Sequence, residues 1–344
     1  MENRDGLRVY FAPLEGITGY SYRNVHRSFF TGIDKYYAPF VAPNYTHHFK
    51  TKEKLDVDPG NNAGVRMVPQ ILSNQEGDFL WAAEELYRLG YREINLNLGC
   101  PMPTVVRKKR GAGQLGDLEE LDRFLEQICR GMEERFGLRS AESPEAEEGR
   151  QSAGDPSGVL FSIKTRIGLT DAEEAGRLLK IYNRYPVSEL TVHPRTRKDM
   201  YGGRPDLEVF AAFLEGSTHP VVYNGDLCTA EDVEHFRDRF PACRAVMIGR
   251  GLIADPALAR RILGGAPLCR DELRRFHDAL YKSAVESLPG TTPVLGRMKE
   301  LWFYMGRNFR NADRYLKEIR KAKTLPQYCA AVRTLFVNAQ FAVD

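Results

Sequence analysis

Eight short β-rich apolar runs, separated by longer helical patterns, constrain this chain more than any other feature. They are Arg8–Ala12, Asp34–Ala38, Val65–Ile71, Glu93–Leu98, Val159–Lys164, Glu189–His193, Val221–Asn224 and Ala245–Ile248. Helical periodicity marks intervening stretches, among them Glu76–Leu89, Leu118–Arg135, Ala172–Tyr185, Leu207–Leu214 and Ala230–Phe240. Eight strand–helix units over about 250 residues predict an α/β fold, a (β/α)8 TIM barrel. A doubly wound open sheet is the alternative. The barrel is favoured because polar residues and glycines follow nearly every strand, and in barrels those ends form the active rim.

The chain has the material for such a core. Hydrophobic residues make up 42% and charged residues 28% of 344, which excludes collagen, a disordered tail protein and a coiled coil. No apolar run approaches the ~18 residues of a membrane span, and the start lacks a secretory stretch. The six cysteines form no CxxC pair and no HExxH occurs, so neither a zinc site nor a thioredoxin-like motif is expected. Scattered cysteines in a chain of this size predict reduced thiols and a cytoplasmic location, with no metal and no membrane partner.

Two stretches depart from the pattern. Residues 138–158 carry five acids, two arginines and no aromatic or β-branched residue, and are expected to be a flexible surface insertion. After Gly264 the strand alternation ends. Helical runs at Asp271–Glu286, Val294–Phe309, Ala312–Ala322 and Gln327–Asn338 predict a small helical domain over 264–344, following a barrel over 1–263. Lys+Arg number 14 there against 8 Asp+Glu, or +6; the remainder holds 35 against 38, or −3. An acidic barrel joined to a basic module suggests a polyanion partner; a solvated basic face is the alternative.

The strand ends carry the chemistry. Asn95-Leu-Asn97-Leu-Gly-Cys100-Pro101 puts a thiol on a sharp loop at the rim, where it can be a nucleophile or proton donor. No histidine is near in sequence, so the thiol can stay protonated and serve as an acid. Lys164, in Lys164-Thr-Arg166, ends the fifth strand; there it can hold a flavin ring or form a Schiff base. His193 ends the sixth. Asn224-Gly225-Asp226 and Gly249-Arg250-Gly251 follow the seventh and eighth, where barrels commonly bind phosphate. Pro13-Leu14-Glu15 forms a tight loop after the first strand, and Gln70 offers an amide from the third. Gly111-Ala-Gly-Gln-Leu-Gly116 fits GxGxxG but follows Arg107-Lys-Lys-Arg110 rather than a strand, so it reads as a flexible loop and not a dinucleotide site. The basic run itself suits either solvent or a phosphate backbone. His47-His48 reads as surface, and Trp302-Phe-Tyr304 as helix-core packing.

These pieces, in this order, resemble the tRNA-dihydrouridine synthases, from about residue 7 to 263 and more loosely beyond. The resemblance implies a flavin barrel followed by a helical RNA-recognition domain, reducing uridine to 5,6-dihydrouridine in tRNA with FMN and NADPH. It implies FMN contacts from Pro13, Leu14, Glu15, Gln70, Lys164, His193, Asn224, Gly225, Asp226, Gly249 and Arg250. Asn97 and Arg166, with Lys164 and His193, would frame the uracil, and Cys100 would be the general acid. A monomer is expected. The family often has Met where Leu14 stands and Gly where Pro194 stands. Three rival readings remain: an FMN barrel reducing a free pyrimidine or enone, a non-catalytic RNA-binding barrel, and a phosphate-binding aldolase using Lys164.

Overall fold

The computed structural model describes residues 6–139 and 158–342; all but the ends of the acidic 138–158 segment lie outside the described residues. Strands β1 (Arg8–Phe11), β2 (Lys35–Tyr37), β3 (Met67–Val68), β4 (Gln70–Ile71), β5 (Glu93–Leu98), β6 (Leu138–Arg139), β7 (Val159–Arg166), β8 (Glu189–His193), β9 (Val221–Tyr223) and β10 (Ala245–Ile248) form one parallel sheet. Its order is β3-β2-β1-β10-β9-β8-β7-β5-β4, with β6 alongside β7. The single third strand of the sequence reading is two pieces. Pro69 cannot donate to a ladder and divides it into β3, which pairs with β2, and β4, which pairs with β5. That division joins the two ends of the sheet and completes an eight-stranded barrel.

Helices α1 (Tyr20–Phe29), α2 (Thr51–Val57), α3 (Glu76–Arg88), α4 (Pro103–Val106), α5 (Leu118–Phe136), α6 (Ala175–Tyr182), α7 (Leu207–Gly216), α8 (Ala230–Arg239), α9 (Arg250–Ala254) and α10 (Leu258–Ile262) accompany the strands. The expected helix at Ala172–Tyr185 is shorter, because Asp171 caps a preceding 3-10 turn, Ala172–Glu174. The chain ends in α11 (Arg270–Ser287), α12 (Thr291–Met305), α13 (Asp313–Lys321) and α14 (Leu325–Asn338), with a small ribbon of β11 (Phe309–Arg310) and β12 (Gln340–Phe341). Phe309 thus belongs to a strand, not to the helix expected there.

The terminal helices share one apolar core with the barrel. Phe276 of α11 inserts among Tyr22, His26, Phe29 and Phe30, with ring centroids 5.1–6.1 Å apart. Inside the helical layer, Trp302 Nε1 donates to the Tyr328 hydroxyl at 2.8 Å, and Tyr328 lies 2.8 Å from His277 Nε2. Of the 302–304 triplet only Trp302 is core. Phe303 is 72% exposed, since consecutive helical residues point about 100° apart. His47 is half exposed but stacks on Trp81 and lies 3.6 Å from Asp78. Among the described residues, no helix is long and apolar enough to cross a membrane.

Candidate active site

The strand register assembles the site. It sets Gln70 beside Asn95, Asn97 beside Lys164, Lys164 beside Thr191, and Arg166 beside His193. A chain of amides results: Asn95 Nδ2 donates to Ser162 Oγ at 2.9 Å, Gln70 Nε2 to Asn95 Oδ1 at 2.7 Å, and Asn97 Nδ2 to Gln70 Oε1 at 2.6 Å. Asn97 Oδ1 then accepts the backbone N–H groups of Gly99 and Cys100, at 3.1 and 2.9 Å. The Asn97 side chain thereby ties the cysteine loop, through Oδ1, to Gln70, through Nδ2. Gln70 is fully buried, with one N–H and one lone pair left over.

Arg166 braces the same loop. Its Nε donates to the Gly99 carbonyl and its Nη1 to the Thr196 carbonyl, each at 2.9 Å. The Gly111–Gly116 segment is the third support, and here the sequence reading is corrected: it is a buried 3-10 turn, not a flexible loop. Ala112 N–H donates to the Cys100 carbonyl at 3.1 Å. Gly111 has φ +56°, and a Cβ there would fall 2.9 Å from that carbonyl oxygen. Only glycine suits both the conformation and the approach. The GxGxxG pattern is the second half of the cysteine cradle.

Burial pushes the Cys100 thiol above its ordinary value, against the pull of the Met102 backbone, Lys164 and Arg166. The thiol is therefore protonated at neutral pH. Lys164 behaves in the opposite sense. Burial and then Arg166 bring it down to about 7, and among the described residues no group hydrogen-bonds its ammonium. His193 is held well below its ordinary value by burial and by Arg166, Lys164, Arg195 and Arg250.

The remaining expected residues are placed less uniformly. Asn224 Nδ2 ties β9 to β10 through the Met247 carbonyl at 2.8 Å. Asp226 accepts from both Arg195 and Arg250, the latter at 2.5 Å. These two arginines hold its carboxyl low despite burial. Pro13 and Leu14 line the loop after β1, and Leu14 Cδ1 would lie 3.2 Å from a Cβ at residue 249. A Cβ at Gly251 would come within 2.4 Å of the Leu227 carbonyl oxygen, so the loops after β9 and β10 can meet only through glycine. Glu15 points away, to an exposed pair with Lys52 at 2.7 Å.

Two residues escaped the sequence reading. Arg195 is 1% exposed and sits beneath His193 and Asp226. Tyr201, 53% exposed, lies under the guanidinium carbons of Arg166 and Arg250 at 5.4 and 5.5 Å, and stacks on His193. The near motif His193-Pro-Arg195-Thr is a faint signal for the first. Nothing local marks the second.

A family model described as dihydrouridine synthase matches residues 10–135 and 153–342. This chain belongs to the dihydrouridine synthase family. The unmatched 136–152 overlaps the acidic segment. A relative named tRNA-dihydrouridine(16) synthase, from Neisseria meningitidis serogroup A, is 26% identical over 94% of this chain and 92% of its own length. One of the same name from Cupriavidus necator is 28% identical over 91% and 92%. The tRNA-dihydrouridine synthase B of Pasteurella multocida is 25% identical over 74% and 68%. Among solved structures, histamine dehydrogenase from Rhizobium sp. 4-9 superimposes with TM-score 0.53 at 14% identity, over 79% of this chain and 46% of that one. A morphinone reductase mutant in complex with tetrahydroNAD gives 0.50 at 15%, over 78% and 90%. These likenesses identify the barrel as a TIM barrel.

Proposed function

We propose that the protein reduces uridine to 5,6-dihydrouridine in tRNA, with FMN resident in the barrel mouth and NADPH as its reductant. The residues present fit an anionic planar group. The mouth sets four cations, Lys164, Arg166, Arg195 and Arg250, against two carboxylates, Asp226 and Asp199, the latter bonded to Thr196 near Arg166, and among the described residues the Lys164 ammonium has no hydrogen-bond partner. Lys164 and His193 would hold the ring. Asn224, Gly225, Gly249 and Arg250 would border the phosphate, and Pro13 and Leu14 would cover one face. Gln70, fully buried beneath the mouth, would contribute through the amide chain that fixes Asn97. Asp226 would act through Arg250, and Glu15 stands farther out.

Bound FMN, once reduced, supplies the hydride that reaches C6 of uracil. The protein must then do three things. It must take the base out of its stack, at a few kcal/mol. It must stabilise charge building toward O4, a task within reach of Lys164 and the unused donors of Arg166. And it must deliver a proton to C5, which Cys100 Sγ–H can do because burial keeps it protonated. The thiolate left behind lies near Lys164 and Arg166 and recovers its proton from solvent. The observation that carries this reading is the convergence of three supports, Asn97, Arg166 and the Gly111–Gly116 turn, on one protonated thiol beside a lysine with no hydrogen-bond partner among the described residues.

Residues 1–263 are read as the catalytic domain and 264–344 as an RNA-binding one, with the +6 charge providing phosphate grip. The relatives matching over more than nine-tenths of the chain, the terminal helices included, are named for nucleotide 16, which supports U16 as the target. Mass-spectrometric mapping of tRNA from a deletion strain tests this. Loss of dihydrouridine at position 16 alone is expected. Loss elsewhere overturns the position, and no loss in any RNA overturns the function in favour of a free-pyrimidine or enone reductase.

A further inference from the structure

Arg195 is saturated. Its five N–H groups meet five acceptors: Nε donates to the Gly202 carbonyl at 2.9 Å, Nη1 to Asp226 Oδ1 at 3.1 Å, and Nη2 to Asp226 Oδ2 and to the Gly203 carbonyl at 2.6 Å. The fifth, on Nη1, faces His193 Nε2 at 3.1 Å. A guanidinium has no lone pair to offer and does not deprotonate in proteins. A proton on His193 Nε2 would therefore face another N–H inside a site where both residues are almost wholly buried. Nε2 must be the bare, accepting nitrogen.

We infer that Arg195 is a positioning residue that locks His193 as the neutral Nδ1–H tautomer, so that His193 presents a fixed hydrogen-bond donor to a carbonyl oxygen of a bound ring. Among the described residues, no protein group bonds to Nδ1, and this atom is not among those sealed from solvent without a partner. The ring stacks beneath exposed Tyr201, with centroids 6.4 Å apart, which places it at the mouth.

The surrounding charges reinforce the lock. Lys164 and Arg166 face the imidazole from β7, Arg195 from its own loop, and Arg250 from the loop after β10. Of the two carboxylates in the mouth, Asp226 is itself bound by Arg195 and Arg250 and Asp199 by Thr196. An imidazolium would add a fifth cation to this group, so His193 stays neutral across the physiological range. The consequence for chemistry is a division of labour. His193 can donate a hydrogen bond but cannot give up a proton as an acid, which leaves proton transfer in the mouth to other groups, Cys100 and Lys164. The assignment rests on the proposed function only for naming the ring that His193 faces.

The test is 15N NMR of histidine-labelled protein. The chain has seven histidines, and His193→Gln identifies the resonance. The full-length protein is measured between about pH 5.5 and 9, alone, with FMN, and with FMN plus unmodified tRNA. The expected result is a protonated Nδ1 and a bare Nε2 at every pH, without titration. A shift of the Nδ1–H signal on adding FMN alone assigns the acceptor to the flavin; a shift only when RNA is added assigns it to uracil. No shift in either case overturns the donor role. An Nε2–H signal, or titration near the ordinary value of about 6.5, overturns the tautomer lock. Arg195→Gln should move the proton at least partly to Nε2, because an amide can turn its oxygen toward it, while Arg195→Lys, which can only donate, should restore Nδ1–H. A glutamine variant that retains pure Nδ1–H shows that Arg195 is not the cause. Should that variant not fold, Arg195→Lys and the wild-type spectrum still decide. None of these readouts measures uridine reduction, so the tautomer and the function can fail separately.

Discussion

The two ends of the barrel bury lysines in opposite ways. At the floor, Lys35 Nζ lies 2.9 Å from Glu93 and 3.4 Å from Glu189, and the Tyr10 hydroxyl donates to Glu189 at 2.8 Å. The two carboxylates outweigh burial and raise the Lys35 pKa. At the mouth, Lys164 has cations for neighbours and is lowered to about 7. With Arg8 Nη2 3.9 Å from Glu189, the floor sets two cations against two carboxylates, whereas the less deeply buried lysine of the mouth stands among cations. A balanced buried cluster needs nothing further; an unbalanced one is complete only when an anion arrives. The floor is therefore satisfied as it stands, and the mouth is where the proposed anionic cofactor fits.

The sharpest way to break this comparison is to make the same substitution at both ends. Lys35→Met strands Glu93 and Glu189 in the floor. Removing one partner of a buried pair typically costs about 3–5 kcal/mol, so urea denaturation should show a loss of that size. Lys164→Met removes a partly buried charge that has no hydrogen-bond partner among the described residues, and should leave the unliganded protein equally stable or more so at pH 7. Equal losses at both positions would end the distinction.

Within the mouth, Cys100→Ala should have the next largest effect. Uridine reduction should fall by at least about 100-fold, the lower range for a lost general acid. Flavin reduction by NADPH and RNA binding should stay near wild type, since neither needs the thiol. Stopped-flow reoxidation of the reduced flavin by unmodified tRNA reads the step directly. A wild-type rate would mean that the proton comes from elsewhere.

The two ends also differ in how far they could be read from sequence. The alternation of strands and helices exposed the barrel, and the polar residue after each strand exposed Cys100, Lys164 and His193, because a barrel turns strand ends into one rim. The closure at Pro69 was legible in principle, since proline cannot continue a ladder. The supporting contacts were not. Gly111 read as part of a flexible loop because its real partner, the Cys100 carbonyl, is a backbone atom without a sequence signature. Arg166 looked like a ligand for substrate, yet two of its donors go to carbonyls of neighbouring loops. Arg195 is one arginine among many until Asp226, 31 positions later, folds against it. Single residues that bind carbonyls or distant side chains leave no periodicity, and the floor cluster of Lys35, Glu93 and Glu189 was missed for the same reason.

A milder effect sharpens the mouth's half of the comparison. With FMN present, Lys164→Met should weaken flavin affinity about tenfold or somewhat more, as expected for one charge-assisted hydrogen bond of about 1.5–3 kcal/mol. Fluorescence titration measures it, and unchanged affinity would mean that Lys164 does not meet the flavin.

The smallest expected effect is a proton count, and it follows from the sign of the Lys164 shift. In the unliganded protein the lysine titrates at about 7, while an unfolded lysine titrates near 10.4. Between those values the unfolded chain holds more protons than the folded one, so this residue makes stability rise with pH over that window. Below pH 7 both states are protonated and the full cost of the buried cation is present. A bound anion reverses the preference by favouring the ammonium. Binding FMN at pH 8, one unit above the folded value, should therefore draw in a proton at the roughly nine-tenths of sites that lack one. At pH 6 Lys164 is already charged and should contribute no uptake. Calorimetry in two buffers of different ionisation enthalpy reads the number. Uptake at pH 8 that disappears in Lys164→Met assigns the proton to this lysine. With His193 locked neutral by Arg195, no second group in the mouth supplies it, so uptake that survives the substitution would count against both assignments at once.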